Sequence, residues 1–208
     1  MSGSELDVTH ILVRGVPRIL VNSLGPLAAF AAGRAVAGTV GGIVLASAVS
    51  LGLFGWERRK GRPGVLAWIS LVVLLCGVVL GLVARSAVLY FLPTIAMDVA
   101  EGLACFVSCL TRMPLGRVLA RELVTLPSRL FDLPEVRRAI VWVTVLWGAY
   151  FTARGVLCGW FVLFAGTDAY LVGRAVVDAP VVLPLVALSA VYTLRRLRAA
   201  LAMEGSPA

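Results

Sequence analysis

Charge is what this sequence has least of. Only 14% of its 208 residues are Asp, Glu, Lys or Arg, where a soluble domain carries about a quarter, and 60% are apolar. A soluble fold of this length has nowhere to hide that excess, so the composition points to a chain whose solvent is a bilayer. Histidine is nearly absent. His10 is the only one and falls outside the long apolar runs, which argues against a histidine-based metal centre. The four cysteines, Cys76, Cys105, Cys109 and Cys158, all sit inside apolar runs, unlike the loop cysteines of a disulfide framework. Cys105 and Cys109 are one helical turn apart, but two soft ligands alone do not make a metal site. No metal and no cofactor is expected. The chain also lacks a nucleophile triad and a phosphate-cradling glycine loop. An enzyme built on it has to work with carboxylates, arginines and tyrosines such as Tyr90, Tyr150 and Tyr170.

Lysine is missing too, except for Lys60; the other eighteen bases are arginines, and the net charge is +8. In a soluble chain that balance suggests nucleic acid. Here the bases lie between apolar runs and no aromatic-basic stacking platform accompanies them, so they read as orientation signals, and membrane lipids replace nucleic acid as the expected partner.

What the chain has is long apolar stretches: Val16 to Ala32, Ala35 to Trp56, Val65 to Ala84, Ala87 to Leu110, Ala139 to Phe161 and Leu171 to Leu194. Each suits a membrane helix of about 20 residues. The expected fold is therefore all-α, a polytopic bundle of six transmembrane helices over residues 16–197. A cytoplasmic segment (1–15) precedes it, and a disordered tail (198–208) follows. Glu5 and Asp7 precede the first run and no cleavage site follows it, so that span is expected to stay in the mature protein. With the N-terminus inside, the inner segments hold fifteen of the nineteen bases and the outer turns only Arg34 and Arg85; Arg154 and Arg174 lie within spans. That imbalance predicts that both termini are cytoplasmic. Six spans permit two inverted three-helix halves, although the halves share no evident sequence similarity. The inner loop at 111–138 carries Leu115, Val118, Leu119 and Leu123 at helical spacing with Arg117 and Arg121 on another face. An amphipathic helix on the inner leaflet and a solvated connector are both compatible with it.

Polar groups inside the spans carry the functional signal, because each ionised side chain at mid-bilayer costs at least ~2.5–3.5 kcal/mol. In the fourth run Thr94, Asp98, Glu101, Cys105, Ser108 and Arg112 recur at steps of four and three, drawing one stripe down one helix face. Asp98 lies about 18 Å from the outer end at about 1.5 Å per residue. Arg154 sits in the fifth run; Arg174 and Asp178 are one turn apart in the sixth. The expected arrangement is a cluster in which Arg154 and Arg174 neutralise two of Asp98, Glu101 and Asp178. The remaining acid is expected to be protonated, because burial disfavours the charged form. A shallow Arg174 snorkelling to the headgroups is the competing placement. Pro26, Pro93, Pro180 and Pro184 interrupt spans and free carbonyls, which in a membrane need internal partners or line a polar cavity. Asn22 is placed to offer an amide to that interior. Gly33, Ala37 and Gly41, with Gly38 and Gly42, form small-residue stripes that fit close packing either within the bundle or in a homo-oligomer.

Several segments together are familiar: Val16-Pro17 through Pro26; Phe91-Leu92-Pro93 with Ser108 and Arg112-Met113-Pro114-Leu115-Gly116; and Leu146-Trp147-Gly148 followed by Arg154. Over residues 16 to 197 the chain resembles an uncharacterised group of actinobacterial six-span integral membrane proteins. That group is distantly similar to intracellular septation protein A-like proteins. The resemblance implies six helices in an inner membrane and an association with the cell envelope, but no settled activity. Asp98 and Glu101 have no counterpart in its pattern. The leading expectation is a small proton- or ion-coupled carrier, or an envelope-associated protein, with a charged intramembrane site. In it Asp98 or Glu101 binds a proton or cation and Arg154 or Arg174 an anionic solute group. Asn22, Tyr90, Thr94, Tyr150 and Asp178 complete the candidate binding residues. The alternatives are an intramembrane enzyme and a structural membrane partner. In the enzyme, Asp98 or Glu101 starts an acid-initiated cyclisation or isomerisation of an isoprenoid or other lipid-like substrate within a cage of Trp147, Tyr150 and Tyr90. In the structural partner, the ion pairs fix helix register.

Overall fold

A computed structural model of the chain describes residues 8–59, 65–111, 115 and 134–204, with side chains described from residue 24 onward for most of them. Helix is the only regular structure among them, as expected where backbone groups must be satisfied without water. In chain order the helices are α1 (Val8–Arg59), α2 (Val65–Val83), α3 (Ala87–Cys109) and α4 (Pro134–Trp160), then α5 (Thr167–Val177) and α6 (Ala179–Glu204). A π-helical turn, Phe161–Ala165, extends α4.

α1 is folded back on itself. Ala37 (φ −131°, ψ 23°) and Gly38 (φ 67°, ψ −164°) leave helical geometry, and a left-handed φ of that kind suits glycine. The two arms then pair antiparallel: a Cβ on Gly25 would touch Val49 and Leu53, and one on Gly41 would stand 2.8 Å from the Gly33 carbonyl oxygen. The reversal falls at 37–38 rather than between Ala32 and Ala35, because Gly38 supplies the conformation that Gly33 and Arg34 do not need. The small-residue stripe is thus used within the chain, between its own two arms.

Ala84 and Arg85 turn the chain from α2 into α3. Ser86 caps α3 by accepting from the Leu89 N–H, and its own N–H donates to Gly81 O at 3.0 Å. α3 is central, packed along α4 on one side and α2 on the other. Its approach to α4 depends on three glycines. A Cβ on Gly102 would sit 2.8 Å from Thr152 N, one on Gly148 3.0 Å from Cys105 Cβ, and one on Gly155 3.1 Å from Val99 N. Beside this contact Phe30, Ile43, Tyr90, Phe91, Cys158, Val162 and Tyr170 form the buried core. Phe91 lies 4.8 Å from the Phe30 ring and 4.4 Å from that of Tyr170.

Three boundaries differ from expectation. Residues 134–138, expected in the inner loop, are the first turn of α4. α6 runs on to Glu204, past the residue 198 at which a disordered tail was expected; α1 starts at Val8, inside the expected N-terminal segment. The expected amphipathic helix falls largely on 112–114 and 116–133, outside the described residues. The sixth apolar run is two helices. It starts at Thr167, after Gly166 (φ 90°), and breaks at Asp178 (φ −71°, ψ −88°). Pro180 and Pro184, which have no N–H to give to Val176 and Pro180, follow the break directly.

The outer faces are apolar: Val36, Val79, Val83, Leu103, Leu110, Trp142 and Phe164 are all more than half exposed. Four stretches are long and apolar enough to cross a membrane, Leu24–Trp56, Ala87–Cys109, Pro134–Ala165 and Thr167–Arg196, and Trp68–Val83 is a shorter apolar helix. These faces are what a bilayer, not water, would cover. Gly102→Val is expected to lower the thermal midpoint in detergent, by an overpacking cost of about 1–3 kcal/mol. Gly52→Ala, where an added Cβ meets nothing within 4 Å, should leave it unchanged or slightly raised.

Candidate functional site

Four charged side chains, one from each of four consecutive parts of the bundle, meet in a closed ring. α3 supplies Asp98, α4 supplies Arg154, α5 supplies Arg174, and the break before α6 supplies Asp178. Arg154 donates through Nη2 to Asp98 Oδ1 and through Nη1 to Asp178 Oδ1, the latter at 3.1 Å. Arg174 donates through Nη1 to Asp98 Oδ2 at 3.0 Å and through Nε to Asp178 Oδ2 at 3.1 Å. Each arginine thus holds both aspartates, and each aspartate uses both oxygens on both arginines. The side chains are only 4–13% exposed. The formal charges cancel within the ring, the condition under which charge is tolerated away from water.

Local structure aims each member inward. Gly155 lets the α4 backbone lie against α3 at Asp98 and Val99, so Arg154 needs little reach. Arg174 and Asp178 are a helical i,i+4 pair, kept in register by the Asp178 N–H donating to Arg174 O at 2.9 Å. Tyr150 ties the ring to the helix break. Its hydroxyl donates to Val177 O at 3.3 Å and accepts from Arg154 Nη1 at 3.4 Å. The Arg154 guanidinium also lies 5.4 Å from the ring centres of both Tyr150 and Phe151, a cation–π contact. Two buried polar atoms beside this assembly, Arg154 Nε and Thr152 Oγ1, make no hydrogen bond among the described residues.

A half-open cavity of about 180 Å³ adjoins the ring. Arg174 and Asp178 form its charged wall, Ser50, Tyr90, Thr94 and Tyr170 add hydroxyls, and Pro26 and Phe91 are among its apolar lining. The cavity lies between the first hairpin, α2, α3 and the broken α5–α6 segment.

Of the sequence candidates, Asp98, Arg154, Arg174 and Asp178 form the ring, Tyr150 touches it, and Tyr90 and Thr94 line the cavity. Arg174 is turned into the ring instead of snorkelling to a headgroup. Glu101 is the acid left over. One turn beyond Asp98 and half-buried, it has no hydrogen-bond or ion-pair partner among the described residues. The side chain of Asn22 lies outside the described residues. The aromatic cage is not assembled as expected: Tyr90 packs with Phe30 and Phe91, whereas Trp147 and Tyr150 pack with each other and with Phe151. Cys105 and Cys109 join no cluster able to hold a metal among the described residues. Sequence reasoning passed over Ser50 as a cavity residue and Gly155 as the contact that seats Arg154. It also left Tyr170 out of the candidate site, although Tyr170 stands one turn before Arg174. It also missed the ion pair between Arg34, beside the hairpin turn, and Asp168, in the first turn of α5. A pair 134 residues apart leaves no local pattern to read.

The assembly defines an all-helical membrane-type bundle with an internal, electrically neutral charge ring. Comparison with protein-family models, curated proteins and solved structures finds no match to this chain.

Removing one member of such a ring leaves a buried charge uncompensated, so Asp98→Asn and Arg154→Gln should each destabilise the protein by about 3–5 kcal/mol. The double substitution should cost less than the sum of the two. A double-mutant cycle on melting in detergent checks this; strict additivity would mean that the two side chains do not act together.

Proposed function

We propose that the chain is a six-crossing carrier of the bacterial inner membrane that couples movement of a small charged solute to a proton. The two arms of α1, then α2, α3, α4 and the broken α5–α6 segment, make the six crossings. The arginine-rich ends face the cytoplasm, as the base distribution favours. The resemblance to six-span actinobacterial envelope proteins agrees with this arrangement. One observation carries the reading: the charge ring is built on a helix break that faces a cavity. Discontinuous helices with ionisable groups near the membrane midplane are a recurrent way to build a solute site in secondary transporters. Arg174 and Asp178 present both signs of charge to that cavity, which suits a small anionic or zwitterionic solute. Glu101, with no cation of its own, is the group that takes up and releases the proton. The ring gives the closed state its stability. A solute that competes for Arg174 loosens the hold of α5 on α3.

Purified protein in liposomes should move protons when offered the right member of a panel of small anionic and zwitterionic solutes. Glu101→Gln should keep or slightly raise its melting temperature, because Glu101 has no partner to lose and an uncharged amide costs less there, yet lose at least tenfold in solute-driven proton movement. If the wild-type protein moves neither proton nor solute under a gradient, the carrier reading fails.

The closure of the ring favours a second reading, a register pin in a structural membrane partner, and this predicts that Glu101→Gln is silent in every assay.

The arrangement in the membrane has its own test. With the native cysteines removed, single cysteines at Thr39 and Thr167 should react with an impermeant maleimide in intact cells. Those at Lys60 and Ser206 should react only after permeabilisation. The reverse pattern would invert the orientation.

A further inference from the structure

At the end of the bundle opposite the Arg34–Asp168 pair lie two adjoining depressions that share Trp142, one between α4 and α6 and the other on α4. One is an apolar groove of about 250 Å³ between the helices, lined by Trp142, Val143, Leu146, Leu188 and Tyr192 with Ser189. The other, of about 430 Å³, is lined by Pro134, Arg137, Arg138, Val141 and Trp142. The residue numbers rise along α4 in moving from the basic depression into the groove, so the two follow one another along that helix. Trp142 stands 66% exposed where they meet.

Among the described residues the charge at this end is unbalanced. Arg137, Arg138, Arg195 and Arg196 face a single described acid, Glu135, which Arg196 engages at 3.2 Å and Arg138 at 3.8 Å. Arg196 also lies 5.5 Å from the centre of the Tyr192 ring, closing the α6 side of the groove. Arg137 has no hydrogen-bond or ion-pair partner among the described residues, so a cation is left over beside an apolar channel. A free inorganic anion would satisfy the arginine but not the groove, and a neutral acyl chain the groove but not the arginine. A molecule with a phosphate at one end and an acyl chain at the other satisfies both.

We propose that this face is a binding site for one anionic phospholipid. Its phosphate sits between Arg137 and Arg138, and one acyl chain lies along Trp142, Leu146 and Leu188. Basic pockets at the cytoplasmic side of transmembrane helices hold anionic headgroups by this chemistry, and an exposed tryptophan such as Trp142 suits a headgroup boundary. The site is separate from the charge ring and does not depend on the carrier reading.

The test uses the full-length protein in mild detergent with equimolar phosphatidylglycerol and phosphatidylcholine, read by native mass spectrometry. The wild-type protein should retain phosphatidylglycerol at least fivefold over phosphatidylcholine. Arg137→Gln with Arg138→Gln should remove that preference. Leu188→Trp, which fills the groove and leaves the charges alone, should lower phosphatidylglycerol retention severalfold. Arg58→Gln, a cation stacked on Trp68 in another part of the bundle, should keep the preference and so serves as the control. Equal retention of the two lipids by the wild-type protein would overturn the proposal. So would an unchanged preference in the double arginine variant with unaltered melting, or an equal loss in Arg58→Gln.

Discussion

Charge inside an apolar bundle survives only when it is paired and hydrogen-bonded, and the rest of this structure follows from how that requirement is met. Two arginines and two aspartates close on one another through four contacts, leaving no net charge and no carboxylate oxygen of the two aspartates without a donor. An arginine suits this position better than a lysine would. Its planar fork donates in two directions at once, so that Arg154 and Arg174 each bridge two acids. Such geometry tolerates little displacement. Gly102, Gly148 and Gly155 are therefore as much a part of the site as the charges, because they bring α3 and α4 to the separation at which Asp98 meets Arg154.

The helix break is a second consequence. Asp178 reaches both arginines from the point where α5 ends and α6 begins, and the prolines after it withdraw donors from the backbone there. An exposed carbonyl at that depth has no water to turn to, and Tyr150 supplies a hydroxyl to Val177 O. The same hydroxyl accepts from Arg154. Tyr150 therefore bridges the ring and the backbone of the broken segment.

Much of this was legible in the sequence, for reasons that differ between features. The apolar runs and the placement of arginines follow from bulk solvation, which composition reports directly. Asp98, Arg154, Arg174 and Asp178 could be grouped because each lies at a similar depth in its own run, and a charge in a membrane must find another. Which acid would be excluded could not be read: Asp98 and Glu101 are less than one turn apart, and only the angle between α3 and α4, set by glycine contacts, decides between them. Nor could the hairpin turn be placed, since Gly33, Gly38, Gly41 and Gly42 are equally permissive and the choice depends on which of them face each other. The aromatic cage failed for a related reason. Tyr90 and Tyr150 lie at compatible depths but on helix faces that diverge, and depth alone does not determine facing.

Neutrality within the ring also bears on what Glu101 can be. A fifth charged group beside a balanced set of four finds no field arranged to hold it, and no described side chain donates to it. Keeping a carboxyl there costs stability in any purely structural account, since a glutamine or an apolar residue would fill the same turn of α3 at lower cost. If register is all that these residues supply, Asp98 and Asp178 with the two arginines already supply it, and Glu101 adds nothing to that role.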